Sequence, residues 1–279
     1  METLSLGYSP CPNDTFIFSP LISGKIDTNG LTFREILEDV ETLNQMAIES
    51  RLDITKASFH AFGHLRDDYC LLRSGGALGK GCGPLVVARE RIEMPDLRGK
   101  TIAIPGELTT AFLLLQIFDP ELRRRVKIMP FNSIIESVKE GEADAGLIIH
   151  ESRFTFQRAG LKKVIDLGDW WEKETGHPVP LGGILGRRRL GADLLRQVEI
   201  LLRKSVEYAF AHRGESVSYI KQHAQELEDE VINRHIDLYV NDYSLGIGDS
   251  GERAIKELFR MAEGRGIIQS SNKSLFISS

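Results

Sequence analysis

His150 closes the run GLII, four small or apolar residues in the pattern of a buried strand. A histidine at the carboxyl end of such a strand points into the cleft where open α/β sheets bind ligands. An unperturbed imidazole, pKa about 6.5, is mostly neutral at pH 7 and can accept a proton, so the residue type suits a general base. The plainer alternative is a structural histidine satisfied by its own contacts. Glu151 follows directly, and in an extended chain its side chain falls on the opposite face.

A second group of residues offers hydrogen-bond donors. Lys56 and Ser58 end the stretch DITKAS, and strand alternation sets them on one face. They read either as a cleft-facing pair or as a surface lysine beside a capping serine. In PGELTTAFLLL, Pro105 and Gly106 turn the chain and Thr109 or Thr110 caps the helix that follows. Two hydroxyls and the free backbone N–H groups of a helix start suit a carboxylate or a polyol, or simple capping. SPCPNDTFIF repeats the arrangement near the chain start: Asn13 or Asp14 can cap the next helix, whose N-terminus favours an anion.

Other motifs carry less. SGGALGKGCGPLVV resembles a phosphate loop, but its spacing is not GxxxxGK[ST] and a strand follows it, so nucleotide binding is not expected. His60 and His64 have the i, i+4 spacing of helical metal ligands, but HAFGH lacks the glutamate of HExxH. Cys11 at a helix start is a weak nucleophile candidate. Trp170 and Trp171 either wall a planar ligand or pack. Neither a metal nor another cofactor is expected.

Positioning these residues requires alternating strands and helices. LSLGYSP, LTFREILE and DITKAS read as strands, and DTFIFSPLISG, VETLNQMAIES and ASFHAFGHL as helices between and after them. CLLRSGGAL and GPLVVARE read as strands around a glycine-rich turn. The pattern then restarts: strand TIAIPG, helix TTAFLLLQIF, strand VKIMPF, helix NSIIESVKEG, then strands AGLIIH, KKVIDL and GGILGRR. From Ala192 onward DLLRQVEILLRKSVEYAFAH, GESVSYIKQHAQ, DEVINRHIDLYV and GERAIKELFRMAEG carry apolar residues at helical spacing. ETLNQMAIESRLDITKAS and SIIESVKEGEADAGLIIHES echo one another: amphipathic helix, polar turn, aspartate, short strand. The expectation is a first α/β lobe of residues 1–90 completed by the tail 187–279, with a second lobe of 91–186 inserted between. Two lobes joined by two crossing segments make a cleft that can close on a ligand.

The 279 residues are 42% hydrophobic and 27% charged, enough apolar chain for a large buried core. A net charge of −5 with both signs interspersed gives no reason to expect nucleic acid or an anionic membrane as partner. No apolar run approaches the roughly 18 residues of a membrane span, and METLSLGYSP lacks the basic and apolar regions of a secretory signal, so a cytoplasmic location is expected. Three cysteines without a CxxC imply neither a disulfide framework nor a cysteine zinc site.

Taken together, SPCPNDTFIF, LEDVETLN, TKAS, LRSGGALG, GPLVVAR, TTAFLL, AGLIIHESRFTF and DLGDWWEKETGHPVPLGGIL resemble the 1,4-dihydroxy-6-naphthoate synthase family, and HAQELEDEVINRHIDLYVNDYSL extends the likeness into the tail. The resemblance covers nearly the whole chain. It implies the two-lobed fold of periplasmic binding proteins (type II), with a ligand cleft between lobes and a helical C-terminal tail. It also implies conversion of cyclic dehypoxanthinyl futalosine to 1,4-dihydroxy-6-naphthoate and dihydroxyacetone, on the futalosine route to menaquinone. His150, in GLIIHES, would be the general base. Lys56, Ala57 and Ser58 match the substrate-binding TKxS, and Thr110 and Ala111 match the TTA motif. Ala57 departs from the family's larger apolar residue. Asn13, Asp14 and Thr109 would line the cleft. The partner implied is a small-molecule carboxylate. Two alternatives stand beside this: a related chorismate dehydratase, and a binding protein of the same fold without chemistry.

Overall fold

In the computed structural model, residues 3–224 and 228–277 are described. Gln225, the last residue of the expected helix GESVSYIKQHAQ, lies outside them, as do Glu226 and Leu227 of the HAQELEDEV stretch.

Eleven strands form two sheets among the described residues: β1 (Thr3–Tyr8), β2 (Thr32–Leu37), β3 (Ile54–Ser58), β4 (Tyr69–Leu71), β5 (Ala77–Gly79), β6 (Leu85–Ala88), β7 (Ile102–Ile104), β8 (Val126–Ile128), β9 (Ala145–Ile148), β10 (Lys162–Asp166) and β11 (Val179–Arg187). The first sheet runs β2-β1-β3-β11-β4, with β5 also on β11; the second runs β10-β6-β9-β7-β8. Strands β2, β1 and β3 are parallel, whereas β11 is antiparallel to β3, aligning Gly182 with Ser58 and Ile184 with Lys56. Central strands β3 and β9 are buried throughout; β9 is accordingly small or apolar at every position, whereas β3 buries Lys56 among its residues.

The sheets redraw the expected division. Leu85–Ala88, placed by sequence in the first lobe, pairs with β9 and β10 in the second sheet. Residues 179–186 of β11, placed in the second, join the first sheet. CLLRSGGAL is not one strand. It breaks into β4 and β5 around Gly75 at φ +82°, a left-handed conformation open to glycine. The chain therefore crosses between sheets at 80–84 and again at 167–178. The two crossings touch at Gly83 and Gly168: a Cβ on Gly83 would stand 2.3 Å from the Gly168 Cα, and one on Gly168 would stand 2.7 Å from the Gly83 Cα. Only glycine on both segments permits that approach.

The helices that matter for the cleft start at strand ends. Helix α1 (Pro12–Ile22) begins after β1, α2 (Val40–Ile48) after β2, α3 (Phe59–Leu65) directly after β3, and α4 (Thr110–Phe118) after β7. Asp39 caps α2 by accepting from Glu41 N and Thr42 N, and Thr109 caps α4 by accepting from Phe112 N at 3.3 Å. Neither Asn13 nor Asp14 caps α1. Its N-cap position is Cys11, with Pro12 as the first helical residue, where a missing N–H costs nothing. The tail closes the first lobe. Leu195, Val198, Leu201 and Leu202 from helix Ala192–Ala211 share one core with Phe16, Phe18 and Leu6. Trp171 is buried and donates its indole N–H to Pro178 O at 3.0 Å, so this half of the tryptophan pair packs.

Candidate active site

The carboxyl ends of β1, β3 and β9 and the starts of α1 and α4 converge on one cavity, with about 660 Å³ of empty space including its open mouth. Lys56, Ala57, Ser58, Thr109, Thr110 and Ala111 line it. So do Asn13, Asp14 and His150, so residues scattered over 138 positions of sequence meet in one place. The first sheet supplies the lysine and serine, the second the histidine and the helix start.

Asp14 organises one wall. Its Oδ1 accepts from Lys56 Nζ at 2.5 Å and from Asn13 Nδ2 at 2.8 Å. Its Oδ2 accepts from Ser9 N at 3.2 Å and Ser9 Oγ at 2.9 Å. Both oxygens are thus occupied, and the pair with Lys56 is buried, with side-chain exposures of 2% and 8%. What remains for a ligand is donor capacity. Lys56 keeps protons beyond the one given to Asp14. Ser58 Oγ accepts from Asn44 Nδ2 at 3.1 Å, which leaves its own hydroxyl proton free. The Thr110 hydroxyl donates to Leu181 O, so what Thr110 and Ala111 can offer a ligand is their backbone N–H groups in the first turn of α4, which find no acceptor among the described residues. Thr109 spends its hydroxyl on capping and on Gly106 O. A donor-rich pocket at a helix N-terminus suits an anion.

His150 sits opposite at φ +54°, a left-handed conformation rare for a residue with a Cβ. That turn ends strand alternation. Glu151, expected on the far face, instead comes round: a carboxylate oxygen, a ring nitrogen of His150 and Cys11 Sγ all lie within 4.8 Å of one another. Burial first, and then the Glu151 charge, push the Cys11 thiol well up, so it stays protonated and is a poor nucleophile. The centroid of the His150 ring lies 5.0 Å from that of Phe131 in an edge-to-face arrangement and 6.1 Å from that of a second histidine, His235, stacked at 11°. Burial lowers its pKa to about 4; Asp14 and Asp39 oppose the shift and Lys56 adds to it. The imidazole is therefore a free base at neutral pH.

His60 and His64 do lie near each other, with ring centroids 5.4 Å apart and planes tilted by 46°, but no third histidine, cysteine or acidic ligand atom joins them among the described residues. Burial and the neighbouring His64 lower His60 to about 4.

Sequence reasoning missed the tail's part in the site. Tyr239 lines the cavity, and His235 backs it from the same helix, Asp229–Tyr239. A signal existed: Val231, Ile232, His235, Ile236 and Tyr239 follow helical apolar spacing, and a histidine in that stripe is out of type. Glu41 and Asn44 were also missed. Glu41 accepts from Leu108 N at 3.1 Å and Asn44 Nδ2 donates to Leu108 O at 3.3 Å, contacts across the cleft from α2 to the turn that precedes α4.

Two lobes around a donor-lined cleft, joined by two crossing segments, define the class: a periplasmic-binding-protein-like fold. A solved Candida albicans protein described as exhibiting the generic periplasmic binding protein fold superposes at TM-score 0.72, covering 98% of this chain and 92% of that one at 13% identity. The narrower assignment follows from sequence. Residues 4–264 match the family model described as menaquinone biosynthesis, and the chain belongs to that family. It is 51% identical, over 99% of its length and 100% of the relative's, to a 1,4-dihydroxy-6-naphthoate synthase of Thermus thermophilus. A crystal structure of an Archaeoglobus fulgidus protein is similar at TM-score 0.90 and 37% identity, covering 95% of this chain and 98% of that one.

Proposed function

We propose that the chain is a carbon–carbon lyase that converts cyclic dehypoxanthinyl futalosine to 1,4-dihydroxy-6-naphthoate and dihydroxyacetone, on the futalosine route to menaquinone, with His150 as general base. One observation carries the reading: a neutral imidazole faces, within one cavity, a donor set suited to a carboxylate.

The substrate's aryl carboxylate would take the inner end, against Lys56, Ser58 and the α4 N–H groups of Thr110 and Ala111. His150 and Val40 line both this cavity and a wider outer groove bordered by Glu38, Asp39 and Asn132. An acidic border repels a second carboxylate and accepts from hydroxyls, so the sugar-derived end lies outward and His150 stands between the two halves. The proton passes from substrate to a ring nitrogen of His150. The electron pair left behind stays in the substrate, breaks the bond to the three-carbon fragment and completes an aromatic ring. Protonation of the departing fragment gives dihydroxyacetone, and no oxidant or reductant is consumed. Aromaticity supplies driving force; the protein positions the base and excludes water. Lobe closure would provide the exclusion, with Glu41 and Asn44 meeting Leu108 across the cleft. Among the described residues no helix is long and apolar enough to cross a membrane. The three cysteines are unpaired, which suits the reducing cytoplasm where we place the enzyme.

The test is turnover of the cyclic substrate by purified protein and by His150→Ala. The variant should bind the naphthoate product and lose at least about 10²-fold in kcat, with kcat/KM falling alongside. Near-normal turnover by a folded His150→Ala protein refutes the base. A stable complex with no product from the unaltered protein refutes the enzyme.

A further inference from the structure

His150 finds no hydrogen-bond partner for its ring among the described residues, so a carboxylate does not orient it in the manner common for catalytic histidines. Packing does. The ring packs against both Phe131 and His235, and His235 is itself fully buried, with Nδ1 lacking a partner among the described residues.

The proton on His235 can be assigned by elimination. Asn13 gives its amide N–H to Asp14 Oδ1, so its carbonyl oxygen must face His235 Nε2, 2.8 Å away. A carbonyl only accepts; hence Nε2 carries the hydrogen and Nδ1 the lone pair. Asp14 is fixed in turn by Lys56 and Ser9, which makes Lys56–Asp14–Asn13–His235 one continuous chain from the cavity to the ring behind the base. Full burial, His150 and Lys56 all oppose a positive charge on His235 and keep its pKa well below the ordinary value.

We propose that His235 is the positioning residue for the base: a neutral imidazole of fixed tautomer whose face sets the His150 ring plane and covers that side of the ring against water. Asp14 and Lys56 from the first lobe, Asp39 before α2, and Cys11 and Glu151 complete the charged and titratable surroundings of His150.

This rests on His150 acting as base, and the experiment separates the two ideas. His235→Gln keeps a donor toward Asn13 but removes the ring. His235→Phe keeps the ring and removes the donor. kcat/KM for the cyclic substrate is measured from pH 4 to 8 in both, with naphthoate binding as the check on folding. In His235→Gln, water should reach the covered face of His150 as well as the side open to the groove, so the acid limb should move upward toward the ordinary histidine pKa near 6.5, and kcat should fall about tenfold or more. His235→Phe should hold the limb near its original position. An unmoved limb in a folded His235→Gln protein, or a limb preserved by Gln and lost in Phe, overturns the proposal. Should neither variant fold, ¹⁵N spectra of the unaltered protein decide: Nε2 protonated and Nδ1 bare from pH 5 to 9 supports it, and any other state overturns it. His150→Ala is the control. Full turnover there removes the base itself; lost turnover there with an unmoved limb in His235→Gln removes only His235.

Discussion

Replacing Asp14 with asparagine should destabilise the protein out of proportion to the one atom changed. The carboxylate accepts four hydrogen bonds, from Lys56 Nζ, Asn13 Nδ2, Ser9 N and Ser9 Oγ. An amide has a single acceptor oxygen, so its NH₂ must confront either Lys56 and Asn13 or the two Ser9 donors. Lys56, 8% exposed at its side chain, would also be left as an uncompensated buried cation. Breaking such a pair costs about 3–5 kcal/mol, a large share of the roughly 5–15 kcal/mol that holds a domain folded. With about 2.1 cal/mol/K of unfolding entropy per residue over 279 residues, Tm should fall by about 5–9 °C. Calorimetry and denaturant titration of Asp14→Asn, Lys56→Met and the double variant form a cycle. Lys56→Met should cost less than Asp14→Asn, because Asn13 and Ser9 still serve the carboxylate. The double variant should cost less than the two singles together, by about 0.5–3 kcal/mol. A loss under about 1 kcal/mol for Asp14→Asn, or strict additivity, would refute the reading of Asp14 as the hub of the wall.

Ser58→Ala should weaken product binding by about 2–10-fold, the equivalent of one hydrogen bond. Thr110→Ala, whose hydroxyl serves Leu181 O, should act mainly on stability; equal affinity losses in calorimetric titration of both would refute service through the Thr110 backbone. His60 ties stability to pH. Its folded pKa of about 4 lies below the ordinary 6.5, so the unfolded chain binds protons that the folded one refuses. That stability is complete above about pH 6.5 and is lost as pH falls toward 4, by roughly 3 kcal/mol. His60→Gln should flatten the slope of unfolding free energy between pH 6.5 and 4; an unchanged slope would count against burial as the cause.

Local pattern alone determined much of this protein. The alternation of strand and helix through AGLIIH, the apolar spacing of the tail, and the turn chemistry before α1 and α4 are properties of short windows, because period and capping act over a few residues. Those windows also placed His150, Lys56, Ser58 and Thr110 at element ends, and the resemblance to a family turned element ends into expected roles. Tertiary structure decided what windows cannot carry. Leu85–Ala88 reads as a strand anywhere, but its sheet depends on partners some 60–80 residues later. Asn13 and Asp14 have the residue types of helix caps, yet Lys56 and His235 claim them, since a buried charge finds its partner wherever the fold brings one. Glu151 follows His150 onto the same side because a left-handed turn at residue 150, held by surrounding packing, overrides strand alternation. His235 lies 85 positions from the histidine it stacks on, and no period or motif spans that distance; the contact exists because the tail folds back over α1 and carries one polar ring into an apolar stripe.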